Sequence, residues 1–251
     1  MKSIYSRVLS SLDNIEEGKV FSPSDINISH KHKALVYQSL SKLTKDGLIS
    51  RISQGNYYIP KRSRFGILKP NDDEVIKTVV NKIYRRTKTK PFLASNNVYQ
   101  KLGLTTQISN EIFLVCNIKS QYSIKIKNLK FNLIKHDGRW SSNLTEYFEF
   151  LYALQTIQKI PDTTVDESYR KLRNIISHYT VKDISNLVES SQKFKKRTQA
   201  LLGTMLEMEG YNAASDIIQK QLNKNTSYKI NIKNTTIPTK YKKRWKIHES
   251  T

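Results

Sequence analysis

The sequence predicts an α+β fold in two parts. Three observations point there. Apolar residues recur at helical spacing over much of the chain, short β-prone runs interrupt them in two places, and glycines stand where those runs begin or turn. The first part is expected over residues 1–66. The second is expected over 67–251, with a small antiparallel sheet at about 111–136 and helices at about 143–223.

In the first part, Ile4, Val8, Leu12 and Ile15 set a helix over about 3–15, and Gly18 ends that region. Ser22 then offers an N-cap and Pro23 a first helical residue, which predicts a short second helix. A third helix is expected from about His30 to Asp46, stopped by Gly47. At about 100° per residue, Val36, Leu40 and Leu43 fall on its core side. Lys31, Ala34, Tyr37, Gln38, Ser41 and Lys45 fall opposite. A small residue ringed by hydrogen-bonding and cationic groups suits a major groove: Gln pairs with an adenine edge, and Lys neutralises phosphate. An ordinary solvated helix has such a face too.

The segment after the third helix separates those two readings. "LISRI" and "NYYIP" flank "SQG", a hairpin with Gly55 at a position needing positive φ. Three helices and then a hairpin is the order of a winged helix-turn-helix, in which the third helix enters the groove and the wing lies along the backbone. Arg51, Gln54, Lys61, Arg62 and Arg64 are placed on or beside the wing, where phosphates are contacted.

Charge agrees with that placement but does not prove it. The chain of 251 residues carries 43 Lys and Arg against 21 Asp and Glu, a net charge of +22, which attracts polyanions. A chain generally rich in Lys, Asn, Ile and Tyr acquires such a charge with no partner implied. The excess is uneven: residues 1–66 hold eleven cations against five acids, and residues 191–246 hold thirteen against three. Cys116 is the sole cysteine, so there is no internal disulfide and no cysteine zinc cluster. No apolar run approaches about 18 residues, and "MKSIYSRVLSSLDNIEEGKV" has no signal-peptide core. The expectation is a cytoplasmic protein without a membrane partner, metal or cofactor.

In the second part, "NDDEVIKTVVNKIYRR" has acids in its first turn and cations in its last, as the helix dipole favours. "LASNNVYQKLG" reads as another helix ending at Gly103. "EIFLVCN", "YSIKIKN" and "LKFNLIKH" supply the strands of the small sheet, with "KNLK" as a turn. Five helical runs come next, from Leu144 to Asn223, with Pro161 separating the first two. Lys195, Lys196 and Arg197 open the fourth run against the helix dipole, and mark a candidate second basic surface. Thr105, Thr106, Gln107 and Asn110 fix a helix-to-strand connection through their own backbone or line a partner surface.

The residues "LSKLTKDGLISRISQGNYYIPKRSRFG", "KLGLTTQISN", "RTQALLGTMLE" and Trp245 together resemble the AbiEi-type antitoxins of type IV toxin–antitoxin systems, which act in abortive infection, a phage defence. The likeness runs over most of the chain, and "LGLTTQISN" is its most specific piece. The resemblance implies a winged helix that binds inverted repeats in its own promoter and represses the operon. It implies an antitoxin domain over 67–251, and a nucleotidyltransferase-like toxin countered without a stable complex.

Two other functions are weighed. One is a stand-alone transcriptional regulator with a sensing C-terminal domain. The other is a ribonuclease: "RNIISH" matches the R-N-x-x-x-H pattern of HEPN ribonucleases, with Arg173 and His178 acting on RNA. Residues five apart on a helix point about 140° from each other, so these two converge only through a helix end or a second subunit. The histidines have no metal spacing, and no P-loop or nucleophile elbow occurs. No catalysis is expected.

Overall fold

A computed structural model describes residues 3–249 except 65, 137, 139 and 224; the expected domain ends at 1 and 251 lie outside the described residues. The chain is mixed α and β with small sheets. It divides into two compact units, Met1–Arg86 with Ile124–Lys130, and Thr87–Ser123 with Phe131–Thr251.

In the first unit α1 (Ile4–Leu12) starts at Ser3, whose hydroxyl accepts the Ser6 N–H at 3.1 Å. Strand β1 (Val20–Phe21) comes next. The expected short second helix is a single 3₁₀ turn, Pro23–Asp25, with Ser22 before it as expected; the Asp25 carboxylate accepts the Ser22 N–H at 2.7 Å. Helix α2 (Lys33–Lys45) starts three residues later than expected, because His30–His32 form a 3₁₀ turn closed by the His32 N–H on the Ser29 carbonyl. Strands β2 (Ser50–Ser53) and β3 (Asn56–Tyr58) form the expected hairpin, with Gly55 at φ +72° in its turn. Strand β1 joins β3 on its other side, Val20 opposite Tyr58, so the sheet runs β1–β3–β2. Val8, Phe21, Val36, Leu40, Leu43 and Tyr57 close one core beneath it. Each such burial contributes roughly 1.5–3 kcal/mol.

Two features extend this unit past residue 66. A second hairpin, β4 (Lys61–Ser63) and β5 (Gly66–Leu68), is exposed along both strands. Helix α3 (Asp72–Thr87) buries Val75, Val79 and Ile83. Its Arg85 Nη2 lies 2.5 Å from the Asp25 carboxylate and its Nη1 3.2 Å from the Ser24 hydroxyl.

The second unit opens with a correction. Residues 93–103, expected as one helix, are strand β6 (Phe92–Ala94) and then α4 (Asn96–Lys101). The strand is held by antiparallel pairing with β7 (Glu111–Cys116), Ala94 opposite Phe113, a partner far along the chain that local spacing does not reveal. With β8 (Tyr122–Ile126) and β9 (Leu129–Lys135) the sheet runs β6–β7–β9–β8.

Five helices then appear as expected: α5 (Thr145–Gln155), α6 (Val165–Ile176), α7 (Val181–Ser191), α8 (Lys196–Met208) and α9 (Asn212–Lys220). Thr164 with Glu167, and Thr180 with Asp183, cap α6 and α7 by reciprocal side-chain and backbone bonds. The chain closes with β10 (Tyr228–Lys229), α10 (Thr239–Trp245) and β11 (Ile247–His248), β10 and β11 pairing in parallel.

One contact explains two of the sequence signatures together. Trp245 lies directly on Gly203 of α8, so close that a Cβ at position 203 would stand 2.1 Å from its ring. The indole N–H donates to the Glu207 carboxylate at 2.7 Å. "RTQALLGTMLE" and the C-terminal tryptophan are thus two halves of one joint in the core of the second unit.

Candidate nucleic-acid interface

Helix α2 positions the candidate stripe by burying the other side of itself. Val36, Leu40 and Leu43 are at most 4% exposed. That leaves Ala34, Tyr37, Gln38, Ser41 and Lys45 exposed, with Lys31 just before the helix also exposed. Among the described residues, none of the polar side chains of this stripe has a hydrogen-bond or ion-pair partner inside the molecule. Ser39, by contrast, is buried and donates to the Leu35 carbonyl at 2.8 Å.

The β2–β3 hairpin carries Arg51 and Gln54 in exposed positions. Among the described residues, Arg51 Nε reaches only the Ser53 carbonyl of its own hairpin, at 3.3 Å. Lys61, Arg62 and Arg64 are not on that hairpin. Lys61 and Arg62 are in β4, opposite Leu68 and Ile67 of β5, and Arg64 is in the turn between them. The expected single wing is therefore two successive ribbons. Pairing across "KRSRFGIL" turned what reads as a cluster of cations into a second hairpin.

The stripe borders a cleft of about 1930 Å³ that lies within the first unit. Lys33, Tyr37 and Ser41, each one turn from the next, form its α2 side, and Arg51 and Gln54 its hairpin side. Gln38 and Lys45 are not part of the lining. Lys19, Lys82, Arg86 and Lys125 also line it, residues that no local sequence pattern groups together. The one acid among the described lining residues is Asp25. Burial pushes its carboxyl up, but hydrogen bonds from Arg85 and Ser22 outweigh that and hold it below its ordinary value.

The remaining sequence candidates are in the second unit. Lys195 and Lys196 are exposed, but Arg197 donates to the Gln158 side chain at 3.1 Å and the Gln155 carbonyl at 3.2 Å, which fastens α8 to α5. Arg173 pairs with Glu209 at 2.8 Å, and His178 Nδ1 sits 2.8 Å from the Asn174 carbonyl. The Thr105 hydroxyl accepts the Gln107 N–H at 3.2 Å, and the Ser109 hydroxyl accepts the Glu111 N–H at 3.1 Å, so this connection bonds its own backbone.

Two buried groups need an account. Glu149 is 4% exposed and accepts from the Leu93 N–H at 3.0 Å and from Lys101 at 2.5 Å, tying α5 to β6 and α4. Cys116 is fully buried, and that burial pushes its thiol up to about 12. Among the described residues no three His, Cys, Asp and Glu side chains gather as a metal site would need, and no helix is long and apolar enough to cross a membrane.

Residues 7–184 match the model of a family of unknown function, DUF6088. No curated protein matches the sequence. Among solved structures, the fold is similar to that of the RV2827C protein from Mycobacterium tuberculosis, with a TM-score of 0.51 at 10% identity over 90% of this chain and 84% of that one. At that identity the likeness concerns the fold alone.

Proposed function

We propose that this chain, which belongs to the DUF6088 family, is a DNA-binding regulator whose first unit works as a winged helix-turn-helix. Support comes from the element order helix, strand, short turn, helix and hairpin, with the first strand paired against the hairpin as β1–β3–β2. The observation that carries the reading is the α2 stripe. Tyr37, Gln38 and Ser41 are exposed, without partners among the described residues, on a helix whose opposite side is locked in the core. An α-helix fits the major groove, and these side chains then reach base edges. Lys31, Lys45 and Arg51 hold phosphates, and Lys61, Arg62 and Arg64 do the same from the second ribbon.

The resemblance to AbiEi-type antitoxins extends the proposal. On that reading the chain represses its own operon, and the second unit counters a nucleotidyltransferase-like toxin. Co-expression with the adjacent gene tests this part, since only an antitoxin rescues growth from a toxic neighbour. For the ribonuclease alternative, Arg173 and His178 each have a local structural partner, which gives that reading no support.

The test of DNA reading is a pair of binding titrations at fixed salt, on the duplex upstream of the gene and on a random duplex. Gln38→Ala is expected to cost about 1–3 kcal/mol on the upstream duplex and little on the random one. Equal loss on both removes the base-reading role.

A further inference from the structure

We propose that α3 and the tip of β8 form a second cationic wall, so that the cleft grips one phosphodiester backbone of the duplex that α2 reads. This rests on the DNA-binding reading of the first unit. Lys82 and Arg86 lie four residues apart, on one face of α3, and both line the cleft with Lys125 of β8. All three are exposed, and none has an ion-pair or hydrogen-bond partner among the described residues. Lys33 and Arg51 line the same cleft.

Charge decides what such a cleft accepts. Cations gathered along one cleft without a free acid repel, and a bound anion relieves that repulsion. Here Asp25, the acid of the lining, is already engaged by Arg85 at 2.5 Å. Arg86 is partly explained by the helix dipole, which favours cations in a last turn. Lys82 is a turn earlier, beyond the reach of that effect, and Lys125 is on β8, the edge strand of its sheet, where its ammonium is open to a partner. An occupant must bring negative charge at regular spacing, and must be continuous with whatever contacts Lys33, Tyr37 and Ser41 on the same α2 edge. A nucleic-acid backbone meets both demands.

The test uses the full chain with Lys82→Gln, Arg86→Gln and Lys125→Gln combined, and with Lys77→Gln as a control. Lys77 is on α3 but pairs with Glu74 at 2.9 Å and does not line the cleft. Binding to the upstream duplex, a random duplex and a single strand is measured against salt. Each lost phosphate contact lowers the slope of log affinity on log salt by about 0.9. The triple variant is expected to lose nearly three units of slope on both duplexes. The wild-type advantage then shrinks about forty-fold between about 50 and about 200 mM salt. The control keeps the wild-type slope. An unchanged slope in the triple variant, with Gln38→Ala still relaxing preference, overturns this wall and leaves the regulator reading standing. A change confined to the single strand overturns the duplex as occupant. A wild type that binds neither duplex overturns both readings.

Discussion

In the second unit, every described arginine bridges to another element. Arg170 donates to Thr236 at 3.2 Å, Arg173 pairs with Glu209 at 2.8 Å, and Arg197 bonds Gln155 and Gln158. Arg244 holds Glu207, Asp216 and Gln219 at 2.6–3.1 Å. In the first unit, the side chains of Arg7, Arg62, Arg64 and Arg86 have no partner among the described residues, and Arg51 reaches only its own hairpin. A guanidinium is a rigid fork of donors, and it settles on acceptors wherever the fold supplies them. The contrast teaches that net charge does not locate a polyanion site. Among the described arginines, those left without acceptors concentrate in the first unit although both ends of the sequence are strongly basic, and that is where a polyanion site is proposed.

The largest expected effect tests the structural side of this contrast. Trp245→Ala should destabilise the second unit by about 3–5 kcal/mol, since it removes a large side chain from a packed joint. Gly203→Val should cost about 1–3 kcal/mol or more by forcing side-chain atoms into the indole. Urea titration monitored by tryptophan emission measures both, because Trp140 and Trp245 both belong to the second unit. Duplex affinity of the folded protein should stay at the wild-type value. A Gly203→Val protein of full stability would show that the joint is looser than its geometry.

Next in size is a crossed pair of variants. Arg244→Ala removes three contacts and leaves Glu207, which is 13% exposed, without its cation. It should lower stability by about 1 kcal/mol, discounted for the half-exposed guanidinium, and leave the salt dependence of DNA binding alone. Arg51→Ala should do the reverse: an unchanged melting temperature, and a salt slope smaller by about 0.9 on specific and random duplex alike. If both variants move the same readout, the two classes of arginine are not distinct.

The sequence revealed elements whose signal is local. Helix α2 was readable from Val36, Leu40 and Leu43, and the stripe from the residues opposite them. The β2–β3 turn was readable from Gly55, and the five C-terminal helices from their apolar spacing, with Pro161 separating the first two. What it hid depends on distant partners. Strand β6 is three residues long and becomes a strand only by pairing with β7. Strands β4 and β5 are also three residues each, too short for any period, so their cations read as an undivided cluster. The cleft is assembled from stretches of chain as far apart as Asn14 and Ile126, and no window of sequence contains Lys33, Lys82 and Lys125 together. The residue that receives Trp245 of α10 lies 42 positions earlier, at Gly203, so no local window joins the two.

The smallest effect concerns Arg85, an arginine of the first unit that is paired across elements. The Asp25 carboxyl is held below its ordinary value in the folded chain, chiefly by Arg85 and Ser22 working against burial. Linkage gives the sign. This contribution to stability is fully present above the unfolded value, near 3.8, and is lost as pH falls through the lower folded value. A carboxyl titration by NMR should therefore place the Asp25 midpoint below that of an unfolded reference peptide. At neutral pH, Asp25→Asn keeps an acceptor for the Ser22 N–H but removes the charge that holds Arg85. Arg85 is then left with the neutral Ser24 hydroxyl, beside a cleft that has lost its acid. The salt slope on duplex DNA should rise by up to about 0.9, with a small gain in affinity at low salt. A slope that falls instead would mean that Arg85 serves DNA binding by fixing α3 through Asp25, and that pairing in this unit is structural support for the cations around it.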